Sequence, residues 1–319
     1  TPSNNSTFLA GAGINIQIAA SDPDNDPLEY QFSIASAIKQ PWSVSNNYTW
    51  QTTASDTGAV SITCEVKDAK GAITSKAISY SIINPAVEEI LQKVADNYAL
   101  INDKKMDITI SSKFNNEDFG KTIHTRHYFK KPDRQRTETF SNPVRTDVSK
   151  TEIQITVGPD TYLIDPVVHA QVHRNILTES NLTQEQLNQM DEIYHLQDFL
   201  SAHTIIRKDT SEDLAKGLVM LEVSPKVANN IYSKLGIQID YFKGLRTKSQ
   251  TFFYEDSQDK LKQAIEIIDS QAMPNGAWVP KTQVKTLYFT EGNLIMSSNF
   301  ENIQVNTGLA DYLFATERQ

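Results

Sequence analysis

The sequence contains one cysteine in 319 residues, so the chain cannot form a disulfide with itself. That cysteine, Cys64, stands in Ile62-Thr-Cys-Glu-Val66, where apolar residues occupy alternate positions as they do in a half-buried strand. We therefore expect Cys64 to be a small core residue. Long apolar runs are also missing. No stretch reaches the roughly 18 residues of a membrane-spanning helix, so we predict no transmembrane segment.

Recognisable catalytic motifs are missing as well. The chain has no Gly-x-Ser-x-Gly, no His-Glu-x-x-His, no P-loop and no dinucleotide-binding fingerprint. We therefore predict no catalytic residues and a protein that is not an enzyme. A hydrolase of envelope polymers stays as the least favoured alternative, because the carboxylates of glycosidases leave little local trace in a sequence.

Basic residues are fewer than acidic ones. Lys and Arg together number 30 and Asp and Glu 39, which gives a formal net charge of -9. This balance argues against nucleic acid as a partner and against loose binding to anionic lipid surfaces. It does not conflict with a lipid held inside a pocket.

The length of the chain predicts two domains, because one domain usually has about 100–200 residues. Residues 1–84 read as short strands with a turn about every ten residues, which is typical of a β-sandwich. Asn84-Pro85 marks the boundary, with Asn as the N-cap and Pro as the first residue of a helix over about 85–101. The rest of the second domain, 85–319, reads as a long antiparallel meander. A helical stretch from Leu182 to Ala202 interrupts it, opened by the capping-box sequence Thr183-Gln-Glu-Gln186.

Residues 8–83 also resemble the PKD, cadherin-like and Ig-like modules of bacterial surface proteins. The resemblance is carried by Ala20-Ser-Asp-Pro-Asp-Asn-Asp-Pro-Leu-Glu-Tyr30, Tyr48-Thr-Trp50, and the stretch from Asp56-Thr-Gly58 to Val66-Lys-Asp68-Ala-Lys-Gly71. It implies an Ig/PKD-like sandwich that contacts an envelope protein. Such modules are nearly always exported, so we expect a periplasmic or cell-surface protein. A lipid anchor through residues preceding Thr1 is left open.

Residues 86–316 resemble the LolA-like family of periplasmic lipoprotein carriers and outer-membrane lipoprotein-sorting proteins. The order and spacing of several short pieces carry the resemblance: Val87-Glu-Glu-Ile-Leu-Gln-Lys-Val-Ala-Asp-Asn-Tyr98, Tyr162-Leu-Ile-Asp-Pro166, Leu221-Glu-Val-Ser-Pro225, Ile239-Asp-Tyr241, Gln250-Thr-Phe-Phe-Tyr254, Trp278-Val-Pro280, Phe300-Glu-Asn-Ile-Gln-Val-Asn306 and Asp311-Tyr-Leu-Phe314.

The LolA-like resemblance implies a mainly β fold, a half-open antiparallel β-barrel covered by helices, that holds acyl chains of lipids or lipoproteins in an apolar groove. It also implies an arginine beneath the lid helices, for which Arg126, Arg134 and Arg136 are the candidates. The extra N-terminal sandwich departs from the single-domain carriers, and it favours a tethered or surface-exposed lipid-binding relative over a diffusing shuttle.

Apolar residues on the strand faces and on the helical stretch form the predicted lipid lining. The alternative for each one is ordinary core packing. The predicted lining consists of Ile108, Ile110, Phe114, Phe129, Ile153, Ile155, Met190, Tyr194, Phe199, Leu235, Ile237, Ile239 and Phe252. If the second domain holds no groove above about 300 Å³, a structural or adhesive surface protein with protein- or glycan-binding β-modules becomes the better interpretation.

The N-terminal domain contains one candidate metal site. Asp22, Asp24 and Asp26 place three carboxylates at alternate positions, a pattern that can gather around one Ca²⁺. Pro27 and Ser33 stand where an EF-hand needs Gly and Glu, so that version of the site fails and a cadherin-like site stays open. The alternative is a solvated turn stiffened by proline. No other cofactor is expected.

Overall fold

The computed structural model describes residues 2–180, 182–191, 193–228 and 231–316. It divides into two compact units. The smaller unit comprises Thr1–Val87 together with Arg207–Met220, and the larger unit comprises Glu88–Ile206 and Leu221–Gln319. The helices, in chain order, are α1 (Val87–Ala99), α2 (Ile176–Ser180), α3 (Gln184–Asn188), α4 (Leu196–Ala202) and α5 (Ser211–Ala215). Among the described residues, none of these helices is long and apolar enough to cross a membrane.

Seven strands of the smaller unit form a sandwich. One sheet has the order β1-β7-β6-β3-β4, with β1 parallel to β7, and the other pairs β2 with β5. Alternate residues of strands in both sheets are fully buried, so the core lies between the sheets. Cys64 of β6 is buried there, which raises the pKa of its thiol and confirms the prediction of a core residue. The strands are β1 (Thr7–Leu9), β2 (Gly13–Gln17), β3 (Glu29–Ile34), β4 (Ala37–Ser43), β5 (Asn47–Gln51), β6 (Gly58–Lys67) and β7 (Ile73–Ile83).

A short helix from the middle of the chain also belongs to the smaller unit. In α5, the Thr210 hydroxyl accepts a hydrogen bond from the backbone N–H of Asp213 at 3.1 Å, and the Asp213 carboxylate accepts one from the Thr210 N–H at 3.3 Å. Leu214 is buried against the β1–β2 turn. A Cβ on Gly11 would lie 2.7 Å from Leu214 Cδ1, so only glycine allows this approach. The sequence analysis assigned this part of the chain to the antiparallel meander of the second domain and did not predict this helix.

The larger unit contains one long open sheet. Its order is β14-β13-β12-β11-β10-β8-β21-β20-β19-β18-β17-β16-β15, and the sheet does not close into a barrel. The strands are β8 (Asp103–Phe114), β9 (Glu117–Asp118), β10 (Ile123–Lys130), β11 (Arg134–Phe140), β12 (Lys150–Val157), β13 (Asp160–Ile164), β14 (Gln171–Asn175), β15 (His203–Arg207), β16 (Leu218–Pro225), β17 (Lys234–Asp240), β18 (Leu245–Glu255), β19 (Gln258–Ala272), β20 (Trp278–Tyr288) and β21 (Asn293–Val305).

The strand register assigns each residue of this sheet to one of two faces, because directly paired residues project to the same side. We call the face that includes Ile108 and Ile237 the helix-side face, and the opposite one the outer face. The helix-side face is traced across the sheet by the direct pairs Ile237–Ser249, Ser249–Ile265, Ile265–Lys285, Lys285–Met296 and Met296–Ser112. The outer face is traced by the pairs Asp107–Arg126, Arg126–Glu138, Glu138–Ile153 and Ile153–Ile164.

Helix α1 is amphipathic and buries Ile90, Leu91 and Val94. It begins at Val87, two residues later than Pro85, the first helical residue that the sequence predicted. Asn84 does not cap it; the Asn84 side chain instead accepts a hydrogen bond from Arg207 at 3.4 Å. The predicted capping box is present at the start of α3, where Thr183 and Gln186 each accept the other's backbone N–H.

Candidate ligand-binding groove

Two adjoining cavities lie between the helical stretch and the edge of the long sheet. The larger, of about 440 Å³, is lined by the start of α3, the end of α4 and the loop after β16. The smaller, of about 250 Å³, lies over β17 and β18 on the helix-side face. Met190 and Ile231 line both cavities, so the two form one groove with Met190 at its middle.

The walls of the groove are mostly apolar side chains with polar groups at intervals. The apolar lining is Leu182, Met190, Ala202, Pro225, Val227, Ala228, Ile231, Tyr232, Leu235 and Ile237. The polar lining is Gln186, Gln189, Ser201, His203, Lys226, Arg246, Ser249 and Thr251. An apolar groove with a few polar groups is the usual character of a small-molecule or lipid site.

A buried histidine fixes one wall of the groove. His203 Nδ1 lies 2.8 Å from the Phe199 carbonyl oxygen, which can only accept, so Nδ1 carries the proton. In the neutral ring, Nε2 then accepts a hydrogen bond from the Tyr232 hydroxyl at 2.6 Å. The imidazole also packs on the Phe199 ring, with centroids 4.4 Å apart. These contacts join the end of α4 to the loop before β17.

Three of the predicted lining residues, Met190, Leu235 and Ile237, meet in this groove. Phe199 and Ile239 are fully buried, and Tyr194 is 46% exposed beside a separate cavity of about 390 Å³ between α1 and residues 193–198. Ile108, Ile110, Phe114 and Phe129 project from the helix-side face away from the groove. Phe129 packs against Ile101 and Val279 there.

The other three predicted residues lie on the outer face. Ile153 and Ile155 belong to the outer-face register, and Phe252 is paired with Lys234, which alternates with Leu235 along β17. They cannot line a groove on the helix-side face, because successive residues of a strand point to opposite sides.

The candidate arginines are on the outer face too. Arg126 donates to Asp107 at 2.7 Å, and Arg136 donates to Glu138 at 2.7 Å. Burial alone would raise the pKa of Asp107, but the hydrogen bonds from Arg126 and Asn302 outweigh it and lower that pKa. The expectation of an arginine beneath the helices at these positions is therefore wrong. Arg246, which the sequence analysis did not single out, lines the groove instead.

The aspartates of the smaller unit do come together. Carboxylate oxygens of Asp22, Asp24 and Asp26 lie within 4.8 Å of one another, and Asp22 accepts the backbone N–H of Asp24 at 2.8 Å. The Lys70 ammonium lies 2.7 Å from Asp24 and 3.3 Å from Asp26, and these two hydrogen bonds raise the pKa of Lys70. Calcium binding stays a prediction, and an ion in this turn would have to displace the Lys70 ammonium.

Comparison with known proteins supports both fold assignments. A family model described as a bacterial Ig domain matches residues 1–81. No curated protein matches the sequence. A solved DUF1329 family protein from Desulfovibrio piger is similar to this chain, with a TM-score of 0.50 and 14% identity, covering 72% of this chain and 97% of that one.

Two further solved structures have slightly lower similarity. One is described as an outer membrane lipoprotein-sorting protein domain, from Vibrio parahaemolyticus, with a TM-score of 0.49 and 14% identity over 70% of this chain and 95% of that one. The other is a LolA superfamily protein from Nitrosomonas europaea, with a TM-score of 0.48 and 12% identity over 72% of this chain and 98% of that one. At these identities the likeness concerns the fold alone. The mainly β chain is thus similar to a bacterial Ig domain over residues 1–81, and over most of the rest its open sheet is similar in fold to the DUF1329 family structure, as the LolA-like resemblance of the sequence implied.

Proposed function

We propose that the larger unit binds an acyl chain of a lipid or lipoprotein in the groove around Met190. The observation that carries this proposal is the apolar groove itself. Its larger cavity, of about 440 Å³, exceeds the size of about 300 Å³ at which small-molecule pockets begin. The LolA-like resemblance of the sequence supports the same ligand class.

Burial of hydrocarbon supplies the binding energy in this proposal. Each CH₂ group transferred from water contributes about 0.8 kcal/mol, so roughly ten methylenes contribute about 8 kcal/mol before the cost of association. The polar groups at intervals along the wall position the ligand. No bond is made or broken, so the proposed role is binding and carriage without catalysis. The match of residues 1–81 to a bacterial Ig domain supports an extracytoplasmic location in the cell envelope.

Leu235 and Phe252 make a matched pair for testing the groove. Both are half-buried residues of the β17–β18 hairpin, but Leu235 lines the groove on the helix-side face and Phe252 lies on the outer face. We expect Leu235→Gln to weaken binding of a fluorescent fatty acid to the delipidated full chain by about tenfold, or about 1.4 kcal/mol. Phe252→Gln is expected to stay within about twofold of the wild type.

Two results would contradict the proposal. Equal affinities of the two variants would remove the groove as the site. No fatty-acid binding by the wild type would favour the structural or adhesive role.

A further inference from the structure

Exposed apolar side chains gather at one end of the long sheet. The strand register places the end of β8 at Phe114, beside the start of β21, and the end of β11 beside the start of β10. The loops at this end therefore include 141–149 between β11 and β12, 165–170 between β13 and β14, and 289–292 between β20 and β21. By the same register the end of β18 lies beside the start of β17, so the described residues between β16 and β17, 226–228 and 231–233, belong to this end too.

Each of these four loops projects at least one large apolar residue into solvent. We call the set the apolar rim: Val144 (74% exposed), Val148 (97%), Val167 (76%), Val168 (70%), Val227 (80%) and Phe289 (52%). Exposed apolar residues scattered singly are ordinary on a protein surface, so the rim is of interest because it shares its end of the sheet with part of the groove wall.

The turn at 165–168 shows how the backbone presents these side chains. Asp165 Oδ1 accepts the N–H groups of Val167 and Val168 at 2.8 and 3.0 Å, which closes the turn with both valines outward. These hydrogen bonds lower the pKa of Asp165, so the turn keeps its acceptor over the whole physiological range. The backbone of this turn, on which the two valines are exposed, is therefore held by local hydrogen bonds.

The groove opens at the same end of the sheet. Val227 belongs to the rim and also lines the larger cavity, together with Lys226 and Ala228 of the same loop. Lys226 is held there by hydrogen bonds from its N–H to the Ala202 carbonyl at 2.9 Å and from its ammonium to the Ser201 carbonyl at 2.6 Å. Because Val227 is 80% exposed and lines the larger cavity, that cavity reaches the surface beside the rim.

From this arrangement we infer that the apolar rim docks on a lipid bilayer and presents the mouth of the groove to it, an inference that rests on the proposed function. The rim runs from β13 to the loop before β17, and strands lie about 4.8 Å apart. Its side chains are therefore spread over several nanometres, one or two to a loop. Such spacing suits shallow insertion into a broad apolar layer, and an acyl chain can then enter the groove without crossing water.

The charges of the rim loops nearly balance. Asp147, Asp165 and Glu291 lie in the same loops as the rim residues, and so do Arg145 and Lys226. With three carboxylates against two basic side chains, the rim is not expected to need an anionic surface, so zwitterionic phosphatidylcholine is the appropriate bilayer for the test.

Flotation of the full chain with phosphatidylcholine vesicles tests the inference. The wild type is expected to float, and the double variant Val144→Ser/Val148→Ser to float at least about fivefold less, because two exposed apolar side chains are lost. The control is the double variant Ile176→Ser/Phe242→Ser, which removes residues of 50% and 52% exposure at the opposite end of the sheet. It is expected to float like the wild type.

Fatty-acid binding in solution separates this inference from the proposed function. The rim variant is expected to bind the fluorescent fatty acid normally, while Leu235→Gln floats normally but binds it weakly. Rim-dependent flotation without fatty-acid binding would support docking and overturn the role of the groove. Equal flotation of the rim and control variants would overturn docking. A wild type that stays at the bottom of the gradient would overturn it too. Loss of a solution dimer in the rim variant, with no flotation of the wild type, would assign the rim to a second copy of the chain and overturn docking as well.

Discussion

The side chain of Asn97 joins α1 to the sheet, and its removal should lower the stability of the larger unit. Asn97, which is 6% exposed, accepts the backbone N–H of Trp278 at 2.7 Å and donates to the Trp278 carbonyl at 3.0 Å. Asn97→Ala removes both hydrogen bonds, each with a net contribution of about 1 kcal/mol, and leaves two partly buried backbone groups without this partner. We expect the larger unit to lose about 2–4 kcal/mol of unfolding free energy.

Urea denaturation followed by tryptophan fluorescence can measure this loss. Trp278 is the tryptophan of the larger unit, whereas Trp42 and Trp50 lie in the smaller one, so circular dichroism should be recorded beside fluorescence to separate two transitions. Gln92→Ala is the control, because the Gln92 side chain donates to Asp96 on the exposed side of the same helix, and its loss should cost about 0.5 kcal/mol or less. A loss for Asn97→Ala no larger than that of the control would refute the reasoning.

Three further outcomes are expected. Gly244→Ala should destabilise the larger unit by at least about 2 kcal/mol in the same urea assay, because a Cβ at φ +58° would overlap the Lys93 carbonyl oxygen. Gly276→Ala, at φ +87°, should cost about 1 kcal/mol, because its Cβ would meet Leu100 Cδ1 at an ordinary contact distance of 4.0 Å. His127 should make stability fall with acid: burial lowers its folded pKa to about 4 from 6.5, so the unfolded chain binds the proton first, and stability drops as pH falls from about 6.5 to 4. Urea midpoints across this range should show a smaller slope in His127→Gln. Calcium, if it binds the aspartate turn, should bind more tightly to Lys70→Ala by calorimetry, because the competing ammonium is gone; heats indistinguishable from dilution in both proteins would exclude the site.

Local periodicity predicted much of the fold. The alternation of apolar residues in β6 and β8 and the helical spacing in α1 are patterns of adjacent residues, so they are visible without the rest of the chain. The capping box of Thr183 and Gln186 is local as well, and the structure contains it. Elements with strong local patterns were therefore assigned correctly, apart from shifts of a few residues at their ends.

The composition of the groove could not be predicted in the same way. Ile153 and Ile155 alternate as well as Ile108 and Ile110 do, but the face that each set takes depends on pairing with neighbouring strands. Register shifts add to this: β17 has one beside Ile239, and β18 has one at Phe252. The face of the sheet on which a residue lies is therefore set by the pairing of all the strands, and not by the sequence of its own strand.

The exposure of apolar residues in loops could not be predicted from the sequence either. Val148 and Val219 are the same residue type, yet Val148 is 97% exposed and Val219 is fully buried. No local pattern separates a valine held outward by a loop from one that packs inward. For the same reason α5 was missed, since its five residues bury one leucine and give no periodic signal.

Lipid analysis of the purified full chain tests the central claim most directly. Native mass spectrometry before and after organic extraction, with added fatty acid in a second sample, would show whether the groove holds an acyl chain. We expect an adduct of fatty-acid or phospholipid mass that is lost on extraction, regained on addition, and reduced in Leu235→Gln but not in Phe252→Gln. A clean mass in every sample, with no uptake of added fatty acid, would contradict the claim that this unit binds lipid.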